Sequence, residues 1–256
     1  MPRHMEAWMD GVQLSSLGDI LIQQVYENAP SMEEVTGEIP GRYGQRLLTH
    51  DRQTLSVAIE MAIRERFDLA MRSNIAQEIR RWCAGSVLEL SNHPGQRLNV
   101  VCTSLPVLGE VRNYTAVLRA EFTAYDNPFW EETVPVTETA SGTSGSVALF
   151  VPGSAPYMPV DITVSPAEGT LTSFYVRSNH GGNITLNDIS VSAGGTLTFS
   201  RDIRDALMIR ANGASCMSKR TISSSDDLLV IPGSNTINFT ANVSCDVTVS
   251  VKGRWL

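Results

Sequence analysis

Apolar and polar side chains alternate at two places in the first half of the chain. Leu55, Val57, Ile59, Met61 and Ile63 occupy odd positions, between Thr54, Ser56, Ala58, Glu60, Ala62 and Arg64. Farther on, Tyr114, Ala116, Leu118, Ala120, Phe122 and Ala124 occupy even positions. A period of two places each set on one face of a strand, so both stretches predict half-buried strands of an antiparallel sheet. Residues 12–26 predict another strand, interrupted at Gly18-Asp19.

Between the two alternating stretches the spacing becomes helical. Leu69, Arg72, Ile75, Ala76, Ile79, Trp82 and Cys83 recur at about 3.6 residues per turn. This predicts one helix over about 68–84, with Asp68 as N-cap and Gly85 as a left-handed C-cap. Its stripe of Leu69, Ile75, Ile79 and Trp82 is expected to lie against the sheet. A hairpin follows: 87–91, the turn His93-Pro94-Gly95-Gln96, then 97–103. Proline second and glycine third in that turn suit type II.

The second half has a different texture. Short apolar strings at 146–151, 159–164, 171–177, 184–191, 195–199, 206–211, 236–240 and 245–251 are separated by Gly, Pro, Asn and Ser. Such spacing predicts a β-sandwich with no helix longer than a turn. Texture changes near Pro128-Phe129-Trp130-Glu131-Glu132, and 137–146 reads as a Thr/Ser/Gly-rich link. The expected domains are 1–132, a β domain carrying the helix, and 133–256, the sandwich.

Composition narrows the class. The 256 residues are 42% hydrophobic and 18% charged, which suits a packed core and excludes general disorder. No apolar run approaches the ~20 residues of a membrane helix, and no secretory leader follows Met1. Net charge is −7, with 20 basic against 27 acidic side chains, so the basic excess of a nucleic-acid binder is missing. Only Lys219 and Lys252 are lysines. Arginine suits packed interfaces, although codon bias accounts for its excess equally well.

Chemistry is sparse. His4, His50, His93 and His180 are scattered, so no metal site is signalled. Cys83 and Cys102 read as small buried hydrophobes. Cys216 and Cys245 both fall in the sandwich; a disulfide between them is disfavoured by a cytoplasmic reading, and their thiol state stays open. Gly181-Gly182 and Gly194-Gly195 precede no helix and read as tight turns, not phosphate cradles. Glu33-Glu34, Glu131-Glu132 and Asp226-Asp227 are adjacent pairs, which a strand would point to opposite faces, so solvation is their default. No catalytic residue and no cofactor is expected. Tyr157, Phe174 and Tyr175 are the aromatic candidates for sugar stacking. Phe174 and Tyr175 are neighbours in one strand, so one ring of the two must turn inward.

Landmarks along nearly the whole chain carry a resemblance. They are Asp10-Gly11, Tyr26-Glu27-Asn28-Ala29-Pro30, Ile39-Pro40-Gly41-Arg42-Tyr43-Gly44, Ile79-Arg80-Arg81-Trp82, Leu88-Glu89-Leu90 and Pro94-Gly95. A strand closing on 122–130 follows, then the segment 223–229, the turn Ile231-Pro232-Gly233-Ser234-Asn235-Thr236-Ile237 and the ending Arg254-Trp255-Leu256. From about residue 8 onward the chain resembles the distal tail protein family of siphophages. The resemblance implies a galectin-like sandwich after an N-terminal domain that closes into a ring of six at the tail tip. It also implies a channel that continues the tail tube and passes DNA as transient cargo. The implied partners are the tail tube protein, the tail-associated hub protein and side-fibre or receptor-binding proteins. The implied location is the virion tail tip, after assembly in the host cytoplasm and without membrane insertion.

An acidic chain fits a conduit that must not hold phosphates. Ring closure would also join the strand edges that long alternating strands expose. Arg42, Tyr43 and Arg46 are candidates for one ring contact, with a solvated turn as the competing reading. The alternative function is a carbohydrate-binding tail accessory that uses Tyr157 and Tyr175. A wall-degrading enzyme ranks third.

Overall fold

The computed structural model describes residues 5–30, 32–38, 45–64, 68–107, 111–112, 115–202 and 206–256, with backbone alone over 32–38, 45–52, 111–112 and 115. The described chain is mainly antiparallel β with a single α-helix. It divides into two compact units, Met1–Trp130 with Leu256, and Glu131–Trp255.

In the first unit the main strands are β1 (Ala7–Met9), β2 (Ile20–Asn28), β3 (Met32–Glu38), β4 (Gln45–Arg52) and β5 (Leu55–Ile63). The helix α1 (Leu69–Trp82) follows, then β6 (Val87–Leu90), β7 (Gln96–Asn99), β8 (Val101–Ser104) and β9 (Thr115–Ala124). The expected alternation holds. Leu55, Val57, Ile59, Met61 and Ile63 are all buried, as are Ala116, Leu118, Ala120, Phe122 and Ala124. β5 pairs with β9 on one side and β2 on the other, and Ala58 and Ala62 are buried too, so this strand is covered on both faces.

Four local expectations are corrected. Residues 12–26 form no single strand: Val12–Gln13 returns on β1, a 3-10 turn covers Leu14–Leu17, and β2 begins at Ile20. Asp10-Gly11, both at positive φ, turn the chain straight back as a two-residue hairpin demands, so Val12–Gln13 belongs with β1 and not with β2. In α1, Asp68 caps as expected, its side chain accepting from the Met71 N–H at 2.9 Å. Leu69, however, is 75% exposed while Ile75, Ile79 and Trp82 are buried. Six residues at about 100° each set Leu69 roughly 120° around from Ile75, off the buried face.

Gly85 is not a left-handed cap. Cys83 ends the helix in αR geometry with its N–H on the Ile79 carbonyl. A Cβ on Gly85 would lie 2.3 Å from Met9 Cγ, so glycine is needed there for close approach. The expected strand 97–103 splits at Val100. β7 returns on β6 across a turn with Gly95 at φ +77, and β8 leaves to pair with β9.

The second unit is a sandwich built on two long strands, β10 (Val136–Val151) and, later in the chain, Gly233–Val251. Between them lie β11 (Asp161–Pro166), β12 (Thr170–Ser178), β13 (Asn183–Ser192), β14 (Leu197–Arg201) and β15 (Leu207–Ala211), so the second long strand is β16. β10 and β16 pair along their whole lengths with a register shift between Gly142 and Ser144. On one side of the shift, β16 also pairs with β12, which carries β13. On the other side it pairs with β11, which carries β14 and β15. Both groups bury side chains in one core, where the Phe174 ring lies 5.9 Å from Phe199 and 6.5 Å from Phe239.

Residues 137–146 are therefore strand and not link. Their signal is weak because they face water and hold the ladder by hydroxyls: Thr137 to Ser250 at 3.1 Å, Thr139 to Thr248 at 2.9 Å, Ser141 to Asp246 at 2.6 Å. The expected gap between 236–240 and 245–251 is likewise continuous. Asn242 bridges it: its Oδ1 accepts from the Thr172 and Ser173 N–H groups, and its Nδ2 donates to the Thr170 carbonyl. An amide side chain thus replaces the backbone ladder where β12 shifts register.

Two acidic pairs also depart from simple solvation. Glu131 is largely buried and accepts from Arg254 at 3.2 Å and from Lys252 at 3.5 Å. Asp227 binds the Arg201 guanidinium at two points, while Asp226 is fully exposed. The side chains of Glu33 and Glu34 lie outside the described residues.

Two glycines separate backbone strain from collision. Gly182 (φ +85) would place a Cβ 1.9 Å from the Asp227 carbonyl oxygen, whereas Gly194 (φ +82) has nothing within 4 Å. Gly194→Ala is expected to cost about 1–2 kcal/mol of conformational strain. Gly182→Ala is expected to cost at least about 3 kcal/mol, because rigid backbone must also move. Urea unfolding of the two variants measures the difference.

Candidate assembly surfaces

Strand edges are the first feature of the first unit. β3 and β4 pair with one another in a two-stranded sheet of their own. Among the described residues no third strand joins them, so both outer edges leave ladder groups for water or a neighbour. Arg46 lies in β4 opposite Gly37. Arg42 and Tyr43 lie outside the described residues, as does the Arg46 side chain.

A second edge is apolar. Among the described residues β8 pairs with β9 alone, and Val101 on it is exposed, as are Leu105 and, at 74%, Val107 beyond it. The backbone between them is pinned to α1, since Arg80 Nε donates to the Pro106 carbonyl at 3.0 Å. Exposed valines and leucines in one short string, held rather than loose, are what a protein contact needs. The sequence spells Val101, Leu105 and Val107 plainly. It does not show that they face water, because it cannot show that β8 is an edge.

One face of the β9–β5–β2 sheet is polar. The Arg119 guanidinium sits 5.3 Å from the centre of the Tyr26 ring. Its Nε donates to Glu121 at 3.0 Å, and its Nη1 lies 3.6 Å from Glu60. The Tyr26 hydroxyl donates to the other Glu60 oxygen at 3.4 Å. One cation against two carboxylates leaves this face slightly acidic.

A third cluster fastens the end of the unit. The His93 ring stacks on Trp130 with centroids 4.2 Å apart and planes 9° apart. Its Nε2 meets Glu27 Oε2 at 2.8 Å, Asn92 donates to Glu27 Oε1 at 2.9 Å, and Nδ1 meets Gln96 Oε1 at 3.2 Å. The β6–β7 turn, the end of β2 and the last residue of the unit are thus tied together. The hydrogen bond to Glu27 raises the His93 pKa, against the pull of burial. Burial works against the Glu27 charge, but hydrogen bonds from His93, Asn92 and Trp130 outweigh it and hold the carboxyl below its usual range.

In the second unit, Phe174 is the inward ring and Tyr175 the outward, half-buried one. Tyr175 stands opposite Thr185 on β13 and Thr240 on β16, with Arg177 opposite Asn183 and Asn238 in the next outward row. Tyr157 is 52% exposed, and no hydrogen bond or ring contact joins it to Tyr175 among the described residues. Phe150, 68% exposed near the end of β10, is an outward aromatic that its own strand's alternation signals. Cys216 and Cys245 are both buried and free. Among the described residues no cluster of His, Cys, Asp and Glu is placed to hold a metal ion, and no helix is long and apolar enough to cross a membrane.

The Glu27–His93 pair makes stability depend on pH. His93 titrates higher in the folded chain, so its contribution is complete below pH 6.5 and is lost as pH rises through the raised value. The Glu27 contribution is complete above pH 4.5 and is lost as pH falls through the lowered value. The pair is partly solvated, so each arm is expected to be worth under about 1 kcal/mol. His93→Gln should flatten the alkaline arm in thermal melts between pH 5 and 9 (roughly the range in which histidine titrates).

No protein-family model and no curated protein matches this chain. Solved structures do. The crystal structure of SPP1 Dit (gp 19.1), described as a paradigm of the hub adsorption apparatus in phages that infect Gram-positive bacteria, is similar at TM-score 0.69 and 15% identity. The match covers 97% of this chain and 98% of that one. A chain of the phage P2 baseplate in its activated, calcium-bound conformation is similar at TM-score 0.50 and 8% identity, over 99% of this chain and 98% of that one. Both units, in the same order and with almost nothing left over, therefore share the fold of SPP1 Dit.

Proposed function

We propose that the chain is a structural subunit of a siphophage tail tip, a hub between the tail tube and the adsorption apparatus. In this reading the first unit closes with about six copies into a ring around a DNA channel. The second unit carries side-fibre or receptor-binding proteins. The observation that carries the proposal is the likeness to SPP1 Dit over both units. The open β3–β4 hairpin and the exposed Val101, Leu105 and Val107 support it, since a head-to-tail ring needs two different complementary patches per subunit. Arg42, Tyr43 and Arg46, on and beside the hairpin, are proposed for one patch.

A second reading rests on the outward row of Tyr175, Arg177, Asn183 and Asn238. An aromatic ring beside amides and a guanidinium is suited to stacking on a sugar and bonding its hydroxyls. Under it the second unit recognises a host glycan, with Tyr157 as a further stacking candidate. Retention on immobilised host glycan, abolished by Tyr175→Ala, tests this reading separately.

Light scattering on the purified protein, with negative-stain images of the same peak, tests the ring. The expected result is a discrete species of about six subunits with a central hole. Arg46→Glu is expected to shift it to monomer while the circular dichroism of the folded subunit stays the same. A monomer at every concentration, and in the presence of tail tube protein, overturns the proposal.

A further inference from the structure

We infer that Cys83 and Cys102 are a redox pair, held as thiols in a reducing cytoplasm and closing to a disulfide in an oxidising medium. Cys83 is the fully buried C-cap of α1, and Cys102 is a partly exposed residue of β8. Each thiol shifts the titration of the other, which makes the two side chains neighbours, and Cys102 Sγ donates to the Ser104 carbonyl at 3.4 Å. The packing around them independently brings the two segments together. Trp82, next to Cys83, meets the Phe122 ring edge-on at 6.1 Å, and Phe122 is the β9 residue directly opposite Cys102. The end of the helix is therefore seated over the strand pair that carries Cys102. A disulfide needs these neighbouring sulfurs to close to about 2.05 Å.

The partners differ as a redox pair should. Cys102, the accessible thiol, attacks one sulfur of a small-molecule disulfide such as oxidised glutathione. A mixed disulfide forms and one small thiol leaves. Cys83 then gives its proton to solvent and attacks Cys102 Sγ, and the second small thiol leaves. In sum, two protein thiols lose two electrons and two protons, and the oxidant becomes two thiols. Burial pushes the Cys83 thiol far up, with Cys102 beside it adding to the effect, and burial raises Cys102 as well. Closure is then slow at neutral pH and faster in alkali. The staple would join α1 to β8, the edge that leads to exposed Leu105 and Val107. This chemistry does not depend on the tail-tip reading, so failure of one leaves the other standing.

The test uses the full chain, purified reduced and incubated with oxidised glutathione. Free thiols are then alkylated in denaturant and the peptides mapped by mass spectrometry. A peptide linking Cys83 to Cys102, with both lost from the alkylated pool, is the expected result. The unfolding midpoint should rise by roughly 5–10 °C and return on reduction. Cys102→Ser should abolish the link and the shift, and the mapping of the unsubstituted chain decides the matter if that variant folds poorly. A glutathione adduct on Cys102 alone, a link between Cys216 and Cys245, or four alkylated thiols after treatment would overturn the inference.

Discussion

The antiparallel ladder between β10 and β16 is the constraint on which the second unit depends. Two strands of such length cannot stay flat with one face dry, so the pair bends at Gly142–Ser144 and serves both layers. Each local peculiarity nearby follows from that bend. Gly145 is glycine because a Cβ there would meet the Phe239 ring at 2.9 Å. Asn242 stands at the bend because its amide can take over the bonds that the shifted backbone of β12 leaves. The core then fills by alternation alone, with Phe174, Phe199 and Phe239 at its centre.

The first unit answers a different demand. Its central strand, β5, has large buried residues at its odd positions, and Ala58 and Ala62 are buried between them on the opposite face. α1 closes one side, fastened at its end by Trp82, whose indole N–H donates to the Val12 carbonyl at 2.7 Å. What this unit does not close is its edges. β3–β4 and β8 leave ladder groups, and β8 leads to exposed apolar side chains. A monomeric protein usually blunts such features, and a subunit keeps them for its neighbour.

In the proposed tail-tip hub, that contrast would serve a protein that acts by geometry. The polar clusters found are fasteners. Glu27–His93–Trp130 ties three segments, Glu131–Arg254 fastens the two ends of the second unit together, and Asp227–Arg201 anchors a loop to β14. The carboxylates in them are each committed to partners already inside the chain.

Alternation and turn chemistry were sufficient to determine much of this protein. β5, β9, α1 and its Asp68 cap, the Pro94-Gly95 turn and most sandwich strands follow from periods of two and about 3.6 and from residues with special φ. Those signals are local, because each depends on which side of one element is dry. What needed the tertiary structure was whatever depends on a partner distant in sequence. Residues 137–146 are strand because Thr248 and Ser250 lie opposite, and Gly85 is glycine because Met9 lies against it. Likewise β8 is an edge because no outer strand joins it among the described residues, and Cys102 lies near Cys83 because a helix ends over its strand. A sequence records the chemistry of each residue, and only the folded chain decides which residues meet.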